Sequence, residues 1–157
     1  MIVQNSSELE KILQKLKKQG KKIVFTNGCF DILHVGHVTY LAHAKKLGDV
    51  LVVGINSDSS VSKLKGSKRP INDLDSRMIV LDSLKSVDFV VPFSSDTPVP
   101  LIETLKPNIH VKGGDYVAEK LPEFKTVTAY GGKVMIIPFI DGYSVTSLLS
   151  KITKTKT

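Results

Sequence analysis

At 157 residues and 41% hydrophobic composition, the chain is long enough to bury one continuous core, and apolar runs such as residues 50–53 are far too short to cross a bilayer. Its 22 basic and 15 acidic residues leave a net charge of +7, which attracts polyanions but does not choose between nucleic acid and phosphorylated metabolites. No aromatic platform interleaves with the lysines, so neither a nucleic-acid partner nor a membrane is expected. The single cysteine, Cys29, excludes an intramolecular disulfide, and the start MIVQNSSELE lacks an apolar signal core, so a cytoplasmic location is expected.

Ser7 and Glu10 read as a capping box, and Leu9, Ile12, Leu13 and Leu16 recur at helical spacing until Gly20. A strand at 22–26, a helix over about 36–47 ended by Gly48, and a strand at 50–55 then make a βαβ unit. Residues 57–72 are polar and lysine-rich and read as a mobile loop that could close over a ligand. Helical patterns follow at about 73–85, 98–105 and 144–152, alternating with strands at 87–91, 109–112 and 134–137. The expected fold is α/β: a Rossmann-like, doubly wound sheet of about five parallel strands with helices on both faces. Residues 1–152 are expected to form one domain, and 153–157 a disordered tail.

In such sheets ligands sit at the carboxyl ends of the strands, where the first strand runs into TNGCFDILHVGH, residues 26–37. Gly28 and Gly36 remove side chains where backbone must approach a ligand, and Gly36 lies at a helix start whose free N–H groups favour anions. His34 and His37, three positions apart, can both project toward a phosphate as donors. Packing is the plainer reading of the two histidines. Cys29, Asp31, His34 and His37 are of metal-ligand type, but their spacing matches no closed zinc pattern, and no protein-held metal is expected. The only arginines, Arg69 and Arg77, fall in one short stretch, where a rigid fork could engage phosphate.

The run from Gly28 to His37 resembles the GxFDxxHxGH signature of the cytidylyltransferase-like nucleotidyltransferases. The resemblance continues through Gly54 to Asp58, Leu64-Lys65-Gly66, Arg69-Pro70, Arg77, Val111 to Tyr116 and Asp141 to Ser144, and these segments together are similar to the adenylyltransferase domain of ADP-heptose synthases. It implies that ATP, carrying Mg²⁺ on its phosphates, and D-glycero-β-D-manno-heptose 1-phosphate are the small-molecule partners. It also implies a catalytic set of His34, His37, Lys65 and Arg77. Nucleotide contacts would come from Thr26, Asn27, Gly28, Phe30, Gly36, His37, Lys112, Ser144 and Thr146. Acceptor contacts would come from Asp31, Lys63, Arg77, Lys112 and Asp115, and a homodimer is left open. No sugar-kinase domain accompanies these motifs, so kinase activity is not expected.

The last motif reads Tyr143-Ser144-Val145-Thr146 where relatives commonly carry Ser-Thr-Thr, which removes one hydroxyl donor. Glycerol-phosphate cytidylyltransferases carry an arginine just before this motif, and residues 139–142 have none, which favours the sugar phosphate. A cytidylyltransferase or guanylyltransferase acting on glycerol phosphate or another small phosphorylated acceptor stays open. So does a non-catalytic nucleotide-binding module. Several residues also have simpler roles: Ser144 and Asp58 as helix caps, Arg77 paired with Asp73 one helical turn away, and Lys63 and Lys65 as a solvated face.

Overall fold

The computed structural model describes residues 1–138 and 143–154. Five strands, β1 (Ile23–Gly28), β2 (Val50–Asn56), β3 (Phe89–Phe93), β4 (Ile109–Gly113) and β5 (Lys133–Ile137), form one sheet in the order β3-β2-β1-β4-β5. Every pairing is parallel. The helices are α1 (Ser6–Lys18), α2 (Val35–Lys45), α3 (Asp58–Lys65), α4 (Leu74–Asp82), α5 (Val99–Leu105), α6 (Phe124–Ala129) and α7 (Val145–Lys154). The order of the strands reverses between β1 and β4, so the crevice at their carboxyl ends is the place where this architecture binds ligands.

Strand alternation divides the core into two layers. Ile23, Phe25, Val50, Val52 and Val91 point to the face covered by Leu9 and Leu13 of α1, Leu101, Ile102 and Leu105 of α5, and Val127 of α6. Val24, Leu51, Val53, Ile55 and Val111 point to the other, covered by Leu41 and Ala44 of α2 and Met78 and Leu81 of α4. Both faces of β2 are buried, which explains its run of residues without a polar side chain from Val50 to Ile55.

The structure departs from the sequence expectations at definable places. Asn5, not Ser7, caps α1, its side chain accepting from the Ser7 amide. The first half of the expected mobile loop is α3, capped by Ser57. Strand β3 begins two residues later than expected and carries Pro92, which an edge strand tolerates. The short helix α6, with Thr126, Val127 and Thr128 among its residues, has no periodicity long enough to reveal it. Helix α7 continues through Lys154, past the expected end of the domain. Residues 139–142, with Asp141 and Gly142 of the last motif, and 155–157 of the expected tail, lie outside the described residues.

Candidate active site

A cleft of about 870 Å³ opens over the carboxyl ends of β1 and β4. Its lining takes Asn27, Gly28, Phe30 and Asp31 from the end of β1 and the turn after it, His34, Gly36 and His37 from the start of α2, and Ser144 and Thr146 from the start of α7, while Lys65 and Lys112 bring positive charge. Most of the residues expected to contact ligand therefore meet in one place although they come from five elements.

His34 is the N-cap residue of α2 in extended conformation and makes no side-chain cap bond, which leaves the first amides of the helix available to an anion. Its ring stacks on His37 with centroids 3.9 Å apart, and His37 meets Phe30 edge-on at 5.5 Å. Phe30 itself sits at φ 47°, a left-handed conformation unusual for a bulky residue, and is held there by burial. The Nδ1 atoms of both histidines are buried without a partner among the described residues. Burial, then His34 and Lys65, lower the His37 pKa to about 4, and burial also lowers that of His34. Two stacked neutral imidazoles facing a cleft are of a chemistry that can donate hydrogen bonds to an anionic group, and the neighbouring lysines make the cleft attractive to one.

Gly36 is required by this stacking. A Cβ built there would stand 2.9 Å from His34 Nδ1 and 3.2 Å from the Tyr143 Cβ. Gly36→Ala is therefore expected to displace the His34 ring and lower turnover by about tenfold to a hundredfold while leaving the melting temperature nearly unchanged, as kinetics beside calorimetry will show.

Burial lowers the pKa of His110 to about 4 as well, with Lys112 contributing. Unfolded histidines titrate near 6.5, so between the two values the unfolded chain takes up protons that the folded one refuses. Stability is then complete above about pH 6.5 and is lost as the pH falls toward about 4. Thermal melts at pH 7.5 and pH 5 should show the lower temperature at pH 5, and His37→Gln should reduce the difference.

The two arginines act as braces. Arg69 donates to Asp31 Oδ2 at 2.6 Å, and the Asp31 Oδ1 accepts from the amides of Ile71 and Asn72, so hydrogen bonding as well as the Arg69 charge outweighs burial and holds its pKa low. Arg77, expected beside the sugar phosphate or leaving group, is 2% exposed and does not line the cleft. Its guanidinium donates to the carbonyls of Cys29 at 2.6 Å, Asn56 at 2.8 Å and Asn72 at 3.0 Å, and to Asp58 Oδ1 at 2.7 Å. It is thus joined to Asp58 on α3, whereas Asp73 caps α4 by accepting from Ser76.

Thr26, Lys63 and Asp115 are also outside the cleft lining. Thr26 is fully buried with its hydroxyl 2.7 Å from that of Tyr40, because it points into the sheet-facing side of α2. Lys63 lies on the outer side of α3 near Asp96 at 3.6 Å, and Asp115 is exposed beyond the end of β4. Asp31 lines the cleft, but its oxygens are already engaged. Burial, as the chief cause, pushes the Cys29 thiol pKa up, which disfavours the thiolate. Among the described residues no three His, Cys, Asp or Glu side chains could hold a metal ion together.

Sequence reasoning missed Tyr40, His43, Tyr116 and Tyr143 in the lining. Tyr40 was findable, lying one helical turn after His37; its hydroxyl donates to the Val111 carbonyl at 3.2 Å and so ties α2 to β4. Glu123, buried behind Lys112, carries no local signal at all.

The cytidylyltransferase-like family model matches residues 25–146, a span that begins on β1 and ends on α7. The chain belongs to the cytidylyltransferase-like family. It is 53% identical over 150 residues to the bifunctional protein HldE of Geobacter metallireducens, covering 96% of this chain and 31% of that protein. The identity to bifunctional protein HldE of Actinobacillus pleuropneumoniae serotype 5b is also 53%, over 149 residues, with 95% and 31% covered. The chain thus spans about a third of the length of these curated relatives. Among solved structures it is similar to a lipopolysaccharide core biosynthesis protein from Thermoplasma volcanium, with TM-score 0.61, 32% identity, and 80% of this chain and 100% of that chain covered. A pantoate-beta-alanine ligase from Francisella tularensis, at 18% identity and TM-score 0.65 over 100% of this chain and 78% of its own, shares the fold.

Proposed function

We propose that the protein transfers the adenylyl group of ATP to D-glycero-β-D-manno-heptose 1-phosphate, giving ADP-heptose and pyrophosphate for lipopolysaccharide core or related glycan synthesis. The observation that carries this reading is the stacked, neutral His34–His37 pair at the uncapped start of α2, facing a cleft that also holds Lys65 and Lys112. The HldE relatives and the lipopolysaccharide core biosynthesis protein support the choice of acceptor.

In this reading an oxygen of the sugar phosphate attacks the α-phosphorus of ATP in line, and the bond to the departing pyrophosphate breaks. A phosphate dianion is a competent nucleophile, so the protein needs no covalent intermediate, and its task is alignment and charge stabilisation. His34 and His37 donate to the α-phosphate, and the free amides of α2 receive an anionic oxygen. Lys65 and Lys112 balance the charge of the triphosphate and the acceptor phosphate. Ser144, whose Oγ already accepts from the Ser147 amide at 3.0 Å, and Thr146 bring hydroxyls from the start of α7. Mg²⁺ would be bound through phosphate oxygens, since Asp31 is consumed by Arg69 and backbone amides.

A pyrophosphate-release screen of ATP, CTP and GTP against heptose 1-phosphate, glycerol 3-phosphate and ethanolamine phosphate tests the reading. Release with ATP and heptose 1-phosphate supports it. Release confined to CTP with glycerol phosphate makes the protein a cytidylyltransferase, and tight ATP binding without release from any pair makes it a nucleotide-binding module.

A further inference from the structure

Lys112 stands at the end of β4 with its ammonium 3.2 Å from Asn27 Oδ1 and 3.1 Å from Glu123 Oε1. Asn27 is the last residue but one of β1 and lines the cleft; Glu123 is the residue before α6, is 2% exposed, and does not itself line the cleft. Its other oxygen, Oε2, is buried with no partner among the described residues. His110, two residues earlier on the same strand and fully buried, brings Nε2 to 3.8 Å from Glu123 Oε1, beyond hydrogen-bond distance. Burial keeps that imidazole neutral at neutral pH, so Lys112 has no cationic competitor for the carboxylate at His110.

A carboxylate buried with half its acceptors idle costs stability that an uncharged residue of the same shape would not. Its placement against the one lysine that β4 presents to the cleft calls for a role in the site. We infer that Glu123 is a positioning residue that holds the Lys112 ammonium beside Asn27, where it meets a phosphate group of a bound substrate. The identity of that phosphate rests on the nucleotidyl-transfer reading, and it belongs either to the ATP triphosphate or to the acceptor.

A free lysine side chain samples many rotamers, and pinning it between two acceptors removes that entropy before the ligand arrives. The pairing also restrains the amine from collapsing onto the phosphate in the wrong register. Glu123→Gln preserves shape and leaves at most a neutral amide oxygen as acceptor, so the amine loses the charged partner that anchors it.

The test is a double-mutant cycle on the full chain with wild type, Glu123→Gln, Lys112→Ala and the double variant. Glu123→Gln is expected to lower kcat/KM by about tenfold, and to change it by less than about twofold once Lys112 is alanine. A rise confined to the KM for ATP assigns the phosphate to the nucleotide, and a rise confined to the KM for sugar phosphate assigns it to the acceptor. The melting temperature of Glu123→Gln should stay level or rise. Glu123→Asp, which keeps the charge but shortens the reach, should recover part of the loss. Equal losses in both Lys112 backgrounds, or a fall in melting temperature that accounts for the lost activity, overturn the proposal. Calorimetric titration with inorganic tripolyphosphate separates this inference from the assigned reaction: Glu123→Gln should weaken binding only when Lys112 is present, whether or not any pair of substrates turns over. Failure of wild type to bind tripolyphosphate also overturns it.

Discussion

His37→Ala is expected to lower kcat by about 10²–10³-fold, with kcat/KM falling in parallel and the fold retained. Under the proposed mechanism the loss belongs to the transition state, because the ring would donate where charge develops on the α-phosphate and not where the ground-state substrate is held. Packing alone would give a different pattern: the ring stacks on His34 at 3.9 Å and on the Phe30 edge at 5.5 Å, so a packing role would show in the melting temperature and leave kcat per folded molecule unchanged. His37→Gln, whose amide nitrogen reaches about as far as the imidazole Nε2, should recover part of the rate. Since the pKa of His37 is lowered to about 4, its contribution as a neutral donor should not vary between pH 6 and 8. Near-normal turnover by His37→Ala would remove the histidine pair from the mechanism.

Arg77→Met should produce the largest stability loss, about 3–5 kcal/mol, because each carbonyl left without its donor costs about 1–3 kcal/mol, whereas the half-exposed Asp58 carboxylate can rehydrate. Four acceptors depend on this one side chain: the carbonyls of Cys29, Asn56 and Asn72, and the Asp58 carboxylate. Methionine fills much of the volume but leaves buried carbonyls without donors. In thermal melts the transition should fall by roughly 6–20 °C for a domain of this size. Cys29 and Asn72 flank the segment bearing Phe30 and Asp31, so the floor of the cleft should loosen together with the fold. A variant with unchanged melting temperature and a tenfold higher KM for the acceptor would instead restore Arg77 to the substrate, where the sequence motif had suggested it.

The contrast between the histidines and the arginines shows what a linear pattern can carry. His34, Gly36 and His37 lie within one turn of a helix start, and their joint placement follows from local geometry at the end of β1. Lys65, Lys112, Ser144 and Thr146 come from distant segments but share their edge of the sheet because each follows a strand or opens or closes a helix there. Arg77 and Asp31 obey the same spacing rules, yet Arg77 turns away from the cleft and the Asp31 oxygens are taken up at its floor, because backbone carbonyls of 29, 56 and 72 and amides of 71–72 need partners that only the folded loops bring near. Likewise the polar stretch 57–72 contains α3 because Ser57 supplies a cap and Ser60 and Val61 find buried positions, neither of which lysine-rich composition discloses.

Alternation of buried apolar strands with helical periodicity was enough, by itself, to determine the doubly wound parallel sheet and the edge on which chemistry takes place, because a strand buried on both faces and a right-handed crossover leave few other arrangements. The same local logic placed the turn of residues 26–37 at the strand ends, where most of it lines the cleft. Only tertiary structure decided which charged side chains face ligand and which brace the loops, and only it joined Glu123 to Lys112 across 11 positions of chain. A side chain's burial and partners depend on long-range packing that no spacing along the chain encodes.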